Sequence, residues 1–220
     1  MKITDAQVHI YEPDTPEHPW PREPGRSAAP QKHAHGFSAL EMLGAMEAVG
    51  VDRAVIVPPA WAGENNAPSL AAAASHPGKF VVMGRIDPYA PDSPERLERW
   101  LAQPHMRGIR MSGRWSTLDK QFYEALDDPA LEWYWAACER LDIPIMILTG
   151  KYVSKLARIA QRHPRLVMII DHLSVQHANS VAETFGAYEE VLAVARFPGI
   201  HIKVGNGPNA SRRPYPFDDV

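Results

Sequence analysis

Short apolar runs rich in Val and Ile recur along the chain, and each is followed by an Ala-, Leu- and Glu-rich stretch. The runs predict strands over Lys2–Ile10, Arg53–Val57, Phe80–Ile86, Gly108–Met111, Ile143–Leu148, Leu166–Ile170 and Ile200–Val204. The stretches between them predict helices over Ser38–Val49, Ala67–Ser75 and Pro94–Ala102, a pair within Asp119–Leu141, then Val153–His163 and Val181–Phe197. Several boundaries carry their own signals. Ser38 followed by Glu41 reads as a capping box. Gly50 suits a helix end, and Pro94 suits a first turn.

Unbroken apolar runs mark strands buried on both faces. Alternating strands and helices imply right-handed crossovers and a parallel sheet. The pattern therefore predicts an α/β fold of the TIM-barrel, (β/α)8, kind. A doubly wound sheet would usually carry a Gly-rich turn after its first strand, whereas that turn here is Tyr11-Glu-Pro-Asp-Thr-Pro16. A barrel has eight strands and typically about 250 residues, while this sequence has 220 residues and seven such runs. The expectation is one distorted barrel domain over 1–220 that lacks its last βα unit. Its first and last strands would then be open edges. The long segment Tyr11–Gly36, rich in Pro and His and containing Trp20, is expected to lie over the barrel mouth.

Composition narrows the class. Hydrophobic residues are 45%, charged residues 22%, and the formal net charge is −3 with a pI near 6.4. Such a balance disfavours nucleic acid as a partner, since counterion-driven binding needs excess Lys and Arg. No apolar run approaches the roughly 20 residues of a membrane span, so no membrane partner is expected. A single cysteine, Cys138, excludes a disulfide framework and a Cys-rich zinc site. Met1 leads directly into a strand, and a cytoplasmic location is expected. The expected partner is a small-molecule substrate; a homo-oligomer is compatible with this composition.

Candidate chemistry clusters where strands end, because barrel active sites form at the C-terminal ends of strands. Side chains alternate along a strand, so Asp5, Gln7 and His9 share one face of the first. His172 follows the sixth strand directly and can meet His9 at the mouth. Gly108, Arg110, Ser112 and Arg114 share one parity on the fourth. Two guanidiniums and a hydroxyl suit a carboxylate-bearing ligand. Arg85 ends the third strand near Asp87 and reads as its ion-pair partner. His33-Ala-His35 has the spacing of a metal pair but lies in a Pro-containing loop, and Cys138 lies among Trp133, Trp135 and Leu141 in a helix, which reads as core. There is no nucleophile elbow, phosphate loop or dinucleotide fingerprint.

Ile3-Thr-Asp-Ala-Gln-Val-His-Ile-Tyr11 resembles the opening of the amidohydrolase superfamily. Further matches are Ala48-Val-Gly-Val-Asp-Arg-Ala-Val55, Gly108-Ile-Arg110, Leu141-Asp-Ile-Pro144, Ile170-Asp-His172 and Pro214-Tyr-Pro-Phe-Asp-Asp219. The branch it is most similar to is the amidohydrolase-related, predicted metal-dependent TIM-barrel hydrolases, which include sugar-acid lactonases and 2-pyrone-4,6-dicarboxylate lactonase. The resemblance implies a hydrolytic or decarboxylating site at the mouth. Metal-dependent members use His-x-His on strand one, His or Lys on strand five, His on strand six and Asp on strand eight. Carried over, these positions are Gln7 and His9, the stretch Ile147-Leu148-Thr149, and His172. A catalytic zinc usually takes three protein ligands, so no metal cofactor is expected; the alternative is a divalent zinc or manganese at His9 and His172.

The reading that results is a hydrolase that opens a lactone or similar cyclic ester of a carboxylate-bearing molecule. His9 and His172 would polarise the carbonyl as hydrogen-bond donors, with Gln7, Arg110, Ser112 and Arg114 binding substrate. The alternatives are a metal-dependent decarboxylase or amide hydrolase of the same superfamily, and a non-catalytic barrel that binds a small acid.

Overall fold

The structure, a computed structural model, describes residues 1–17, 19, 35–60, 63–112, 122–174, 188–205, 211 and 213–219. Seven strands form one sheet: β1 Thr4–Val8, β2 Arg53–Ile56, β3 Phe80–Gly84, β4 Met106–Met111, β5 Ile145–Ile147, β6 Met168–Ile170 and β7 Ile200–Ile202. Their spatial order is their chain order, and every neighbouring pair is parallel. Sequential parallel strands with helices between them are the construction of a TIM barrel. Seven of its eight strands are present among the described residues, with β1 and β7 at the two ends of the order. The predicted strands were too long at most ends, because loop residues on either side of the hydrogen-bonded core are also apolar.

The helices are α1 Ala39–Ala48, α2 Ala67–Ser75, α3 Ser93–Glu98, α4 Glu132–Arg140, α5 Lys155–Arg162 and α6 Tyr188–Val194. Ser38 caps α1 with a complete capping box: its hydroxyl accepts from the Glu41 amide, and Glu41 accepts from the Ser38 amide at 2.7 Å. Asp92 makes no side-chain cap, so α3 begins on Pro94 geometry alone. The helix pair expected within Asp119–Leu141 resolves into 3₁₀ turns at Phe122–Ala125 and Pro129–Leu131 followed by α4. Pro129 and the Asp128 side chain, which accepts from the Ala130 amide at 2.9 Å, restart the chain at that point. The first part of the helix expected over Val181–Phe197 lies outside the described residues. So does most of Tyr11–Gly36, although its ends meet: Tyr11 and Phe37 exchange backbone hydrogen bonds of 3.1 and 2.8 Å.

Strand parity sorts the sheet into two layers. Val8, Ile56, Val82, Ile109, Ile145, Ile147, Met168 and Ile170 join the main core against the helices. On the other face Val57, Met83 and Met146, with Val55 and Ile169, form a small inner cluster. Gly108 is required there, since a Cβ would meet Met83 Sδ at 2.7 Å and the Pro144 carbonyl oxygen at 2.5 Å. No helix among the described residues is long and apolar enough to cross a membrane.

Candidate functional site

Above the inner apolar cluster the same face turns polar. Arg110 pairs in register with Met146, Met146 with Ile169, and Ile169 with His201. Two residues further along β6 and β7, alternation places Asp171 and Lys203 on this face, one level nearer the mouth. Asp171 is fully buried and is the hub of the site. It forms ion pairs with Arg110 Nη2 and with Lys203 Nζ. Two buried cations on one carboxylate satisfy the rule that a charge leaves water only with partners.

Lys203 reaches further. Its ammonium also donates to Gln7 Oε1 and lies 3.9 Å from Met146 Sδ. An ammonium can only donate, so the Gln7 amide must turn its oxygen to Lys203 and its nitrogen towards His9, 3.4 Å from Nε2. The other imidazole nitrogen, Nδ1, lies 2.7 Å from the Val57 carbonyl oxygen. That oxygen can only accept, so Nδ1 carries the hydrogen and Nε2 keeps its lone pair. Desolvation by the groups packed around the ring lowers the His9 pKa although the residue keeps an exposed side, and the Arg110 and Lys203 charges push the same way, partly offset by the Val57 bond and by Asp171. His9 is thus a neutral acceptor. Its N–H is held by Val57, which removes the donor role towards a carbonyl expected from sequence.

His172 is placed by strained backbone. His172, Leu173 and Ser174 have φ of 49°, 55° and 61°, all left-handed. Each such non-Gly residue costs about 1–2 kcal/mol, so the surroundings must hold them. The Ser174 hydroxyl donates to the Gly150 carbonyl at 2.7 Å and accepts from Thr149 Oγ1 at 2.5 Å. The Leu173 amide donates to the Lys203 carbonyl at 3.2 Å. His172 Nε2 is 3.6 Å from Asp171 Oδ1, while the buried Nδ1 has no hydrogen-bond partner among the described residues. Burial lowers the His172 pKa to about 4, with Lys203, Arg110 and His9 adding to the shift and Asp171 opposing it.

The fold therefore brings Gln7, His9, Arg110 and His172 to one end of the sheet. Ser112 is also there, but its hydroxyl accepts from Arg85 Nη1 at 2.8 Å and its carbonyl from Arg85 Nη2 at 2.7 Å. Arg85 additionally donates to the Gly63 carbonyl at 2.8 Å, and burial lowers its pKa to about 10. Arg114 lies outside the described residues, as does His33. His35 is exposed and 3.5 Å from Glu41. Cys138 is buried beside Tyr134, and burial raises its thiol pKa. Asp171 and Lys203 were not singled out as site residues from sequence. The signal was present in both cases: a charged residue on the inward parity of an apolar strand, one step past its end.

His9 gives its Nδ1–H to the Val57 carbonyl, as metal-binding imidazoles give their free N–H to a backbone carbonyl. Beyond His9 and His172, however, the described residues contain no group of three or more His, Cys, Asp or Glu able to hold an ion. Asp171 is engaged by two cations that oppose a third. The described donor set thus falls short of the three protein ligands of a catalytic zinc.

Comparison with known proteins places this geometry. A family model described as amidohydrolase matches residues 4–218. No curated protein matches the chain. Among solved structures, one described as a probable 2-pyrone-4,6-dicarboxylic acid hydrolase from Acinetobacter baumannii, with citric acid bound, is 18% identical; the match covers 97% of this chain and 74% of that one, with a TM-score of 0.74. An amidohydrolase from Burkholderia multivorans with bound zinc is 19% identical over 96% of this chain and 72% of that one, with a TM-score of 0.71. An uncharacterised TIM-barrel protein from Bordetella bronchiseptica is 22% identical over 92% of this chain and 74% of that one, with a TM-score of 0.62. At these identities the likeness shows the fold. The expectation that no metal is bound finds no support in them, since one of these structures holds zinc.

Proposed function

Because the chain belongs to the amidohydrolase family, and is on that ground a hydrolase, we propose that it hydrolyses a lactone or similar cyclic ester on a small, carboxylate-bearing molecule. The observation that carries this reading is Arg110. Its Nη2 is held by Asp171, but its buried Nε–H has no hydrogen-bond partner among the described residues. A buried donor without an acceptor is costly, and a substrate oxygen would relieve it. The buried Arg85 and Arg110 guanidiniums and the Lys203 ammonium offer several donors in this region, with Asp171 balancing part of their charge, a lining suited to an anionic ligand. The citric acid bound to the Acinetobacter baumannii structure, and the lactone dicarboxylate in its description, are ligands of that kind.

The chemistry follows from the protonation states. His9 keeps a lone pair at Nε2, which the Gln7 amide meets only at a long 3.4 Å, and stays neutral near pH 7, so a water that displaces that contact against the lactone carbonyl can give it a proton. The water oxygen bonds to the carbonyl carbon, and charge moves to the carbonyl oxygen. Buried donors aimed at that oxygen stabilise the charge; Arg110 Nε–H is the candidate donor. As the ring C–O bond breaks, the leaving oxygen takes the proton from His9, and the product is the open hydroxy acid.

The experiment is a panel of lactones with and without carboxylates, followed by proton release, on the wild type and on His9→Gln. Turnover confined to carboxylate-bearing lactones and lost in the variant supports the reading. Turnover of amides or decarboxylation of acids instead would overturn it. The rival reading, a metal-dependent decarboxylase or amide hydrolase, is favoured by the His9–Val57 arrangement and by the zinc in the Burkholderia multivorans structure. Stoichiometric zinc or manganese, with activity abolished by a chelator and restored by metal, would decide for it.

A further inference from the structure

We infer that Thr149 and Ser174 are positioning residues for His172: their buried hydroxyl pair holds the left-handed segment 172–174 that aims the imidazole into the site. This inference rests on the hydrolytic reading only for its kinetic arm.

The geometry is over-determined in a way that a plain turn would not need. Three consecutive residues with side chains have φ between 49° and 61°, a conformation that occurs in isolated residues rather than in runs. Strained backbone of this kind persists only where the surroundings fix it, and it clusters at functional sites. Thr149 is 0% exposed and Ser174 3%. Their proton order is fixed: Ser174 gives its hydrogen to the Gly150 carbonyl, so Thr149 must give its own to Ser174 Oγ. The relay joins the loop after β5 to the loop after β6. One end of the segment is therefore held by this relay. The other end is held by β6 and by the Leu173 amide on the Lys203 carbonyl. Between them His172 is held in the αL well, and its ring lies beside Gly205 with Nε2 3.6 Å from Asp171 Oδ1.

The test uses pairs that separate the hydroxyl from its volume. Thr149→Val keeps the shape and removes the donor; Thr149→Ser keeps the donor. Ser174→Gly removes the hydroxyl while making positive φ easy, so it tolerates the fold even if Thr149→Val does not. With histidine-selective 15N labelling, the His172 signals are identified by their loss in His172→Gln. They are expected to shift in Thr149→Val and in Ser174→Gly and to match wild type in Thr149→Ser. On the best lactone substrate, kcat is expected to fall on the order of tenfold to a hundredfold in the first two, with KM little changed, as for a misplaced group, and to be retained in Thr149→Ser. A purely structural hydroxyl would lower the melting temperature without moving the His172 signals well below it. Unmoved His172 signals in both Thr149→Val and Ser174→Gly would overturn the inference. If no lactone is turned over, the hydrolytic reading fails alone, and the nitrogen spectra still decide this one.

Discussion

Lys203 donates to Gln7 across 196 positions of sequence, so the last strand and the first are joined by a side-chain contact where no backbone ladder joins them. In a parallel sheet, strands one and seven would each leave an edge of unpaired backbone groups. The Lys203 side chain, 8% exposed, crosses that opening while its charge is balanced by Asp171. Burial lowers the Lys203 pKa, and Asp171 opposes the shift.

Lys203→Met is therefore expected to destabilise the fold by about 2 kcal/mol. That is less than the 3–5 kcal/mol for stranding a buried charge, because Asp171 keeps Arg110 as a partner. A urea titration followed by tryptophan fluorescence measures this. An unchanged midpoint would show that the contact contributes nothing.

Asp171→Asn should be worse, since it strands two cations at once. The expected loss is about 3–5 kcal/mol, the range for breaking a buried pair by removing one partner. If Asp171→Asn proves milder than Lys203→Met, the carboxylate is not the hub.

The pH dependence follows from the two histidines. His172 has a folded pKa near 4 against an ordinary 6.5, and that of His9 is also lowered. Between those values the unfolded chain binds more protons than the folded one. Stability is thus fully present above about pH 6.5 and falls as pH drops towards 4. His172→Gln should flatten part of that fall in thermal melts across this window. An equally steep fall in the variant would remove His172 as its source.

The order and type of the strands were legible because parallel strands are apolar on both faces. Gln7 and His9 were legible for the converse reason, as polar residues alternating within an apolar strand. Ser38 and Glu41 gave α1 its start through a local rule that needs no tertiary knowledge. Asp171 and Lys203 were hidden by the same strand logic. Asp171 follows the last residue of β6 and so reads as the first residue of a loop, while Lys203 lies inside the predicted run Ile200–Val204, whose sequence alone does not say which face the lysine takes. Only the register of β6 against β7 shows both to be inward and adjacent. Nor could sequence give the His9 tautomer. It depends on the Val57 carbonyl, which lies 48 positions away. Nor could sequence show that the Arg85 guanidinium bonds Ser112 on the neighbouring strand through two of its nitrogens.

Gly205 gives the most local test of the His172 placement. A Cβ on Gly205 would lie 3.2 Å from His172 Nδ1 and 3.8 Å from Cε1. The first distance is tighter than an ordinary van der Waals contact, so the imidazole must shift by a few tenths of an ångström. Gly205 does not use a positive φ, so alanine fits its backbone and restricts the unfolded chain, which by itself favours folding by about 0.4–1 kcal/mol. Gly205→Ala should then leave the melting temperature level or slightly raised while it lowers kcat, because a small misplacement within a reacting site can cost up to about a hundredfold in rate. Differential scanning calorimetry beside steady-state kinetics separates the two effects. A variant that keeps full kcat would mean that the position of the His172 ring does not matter to turnover.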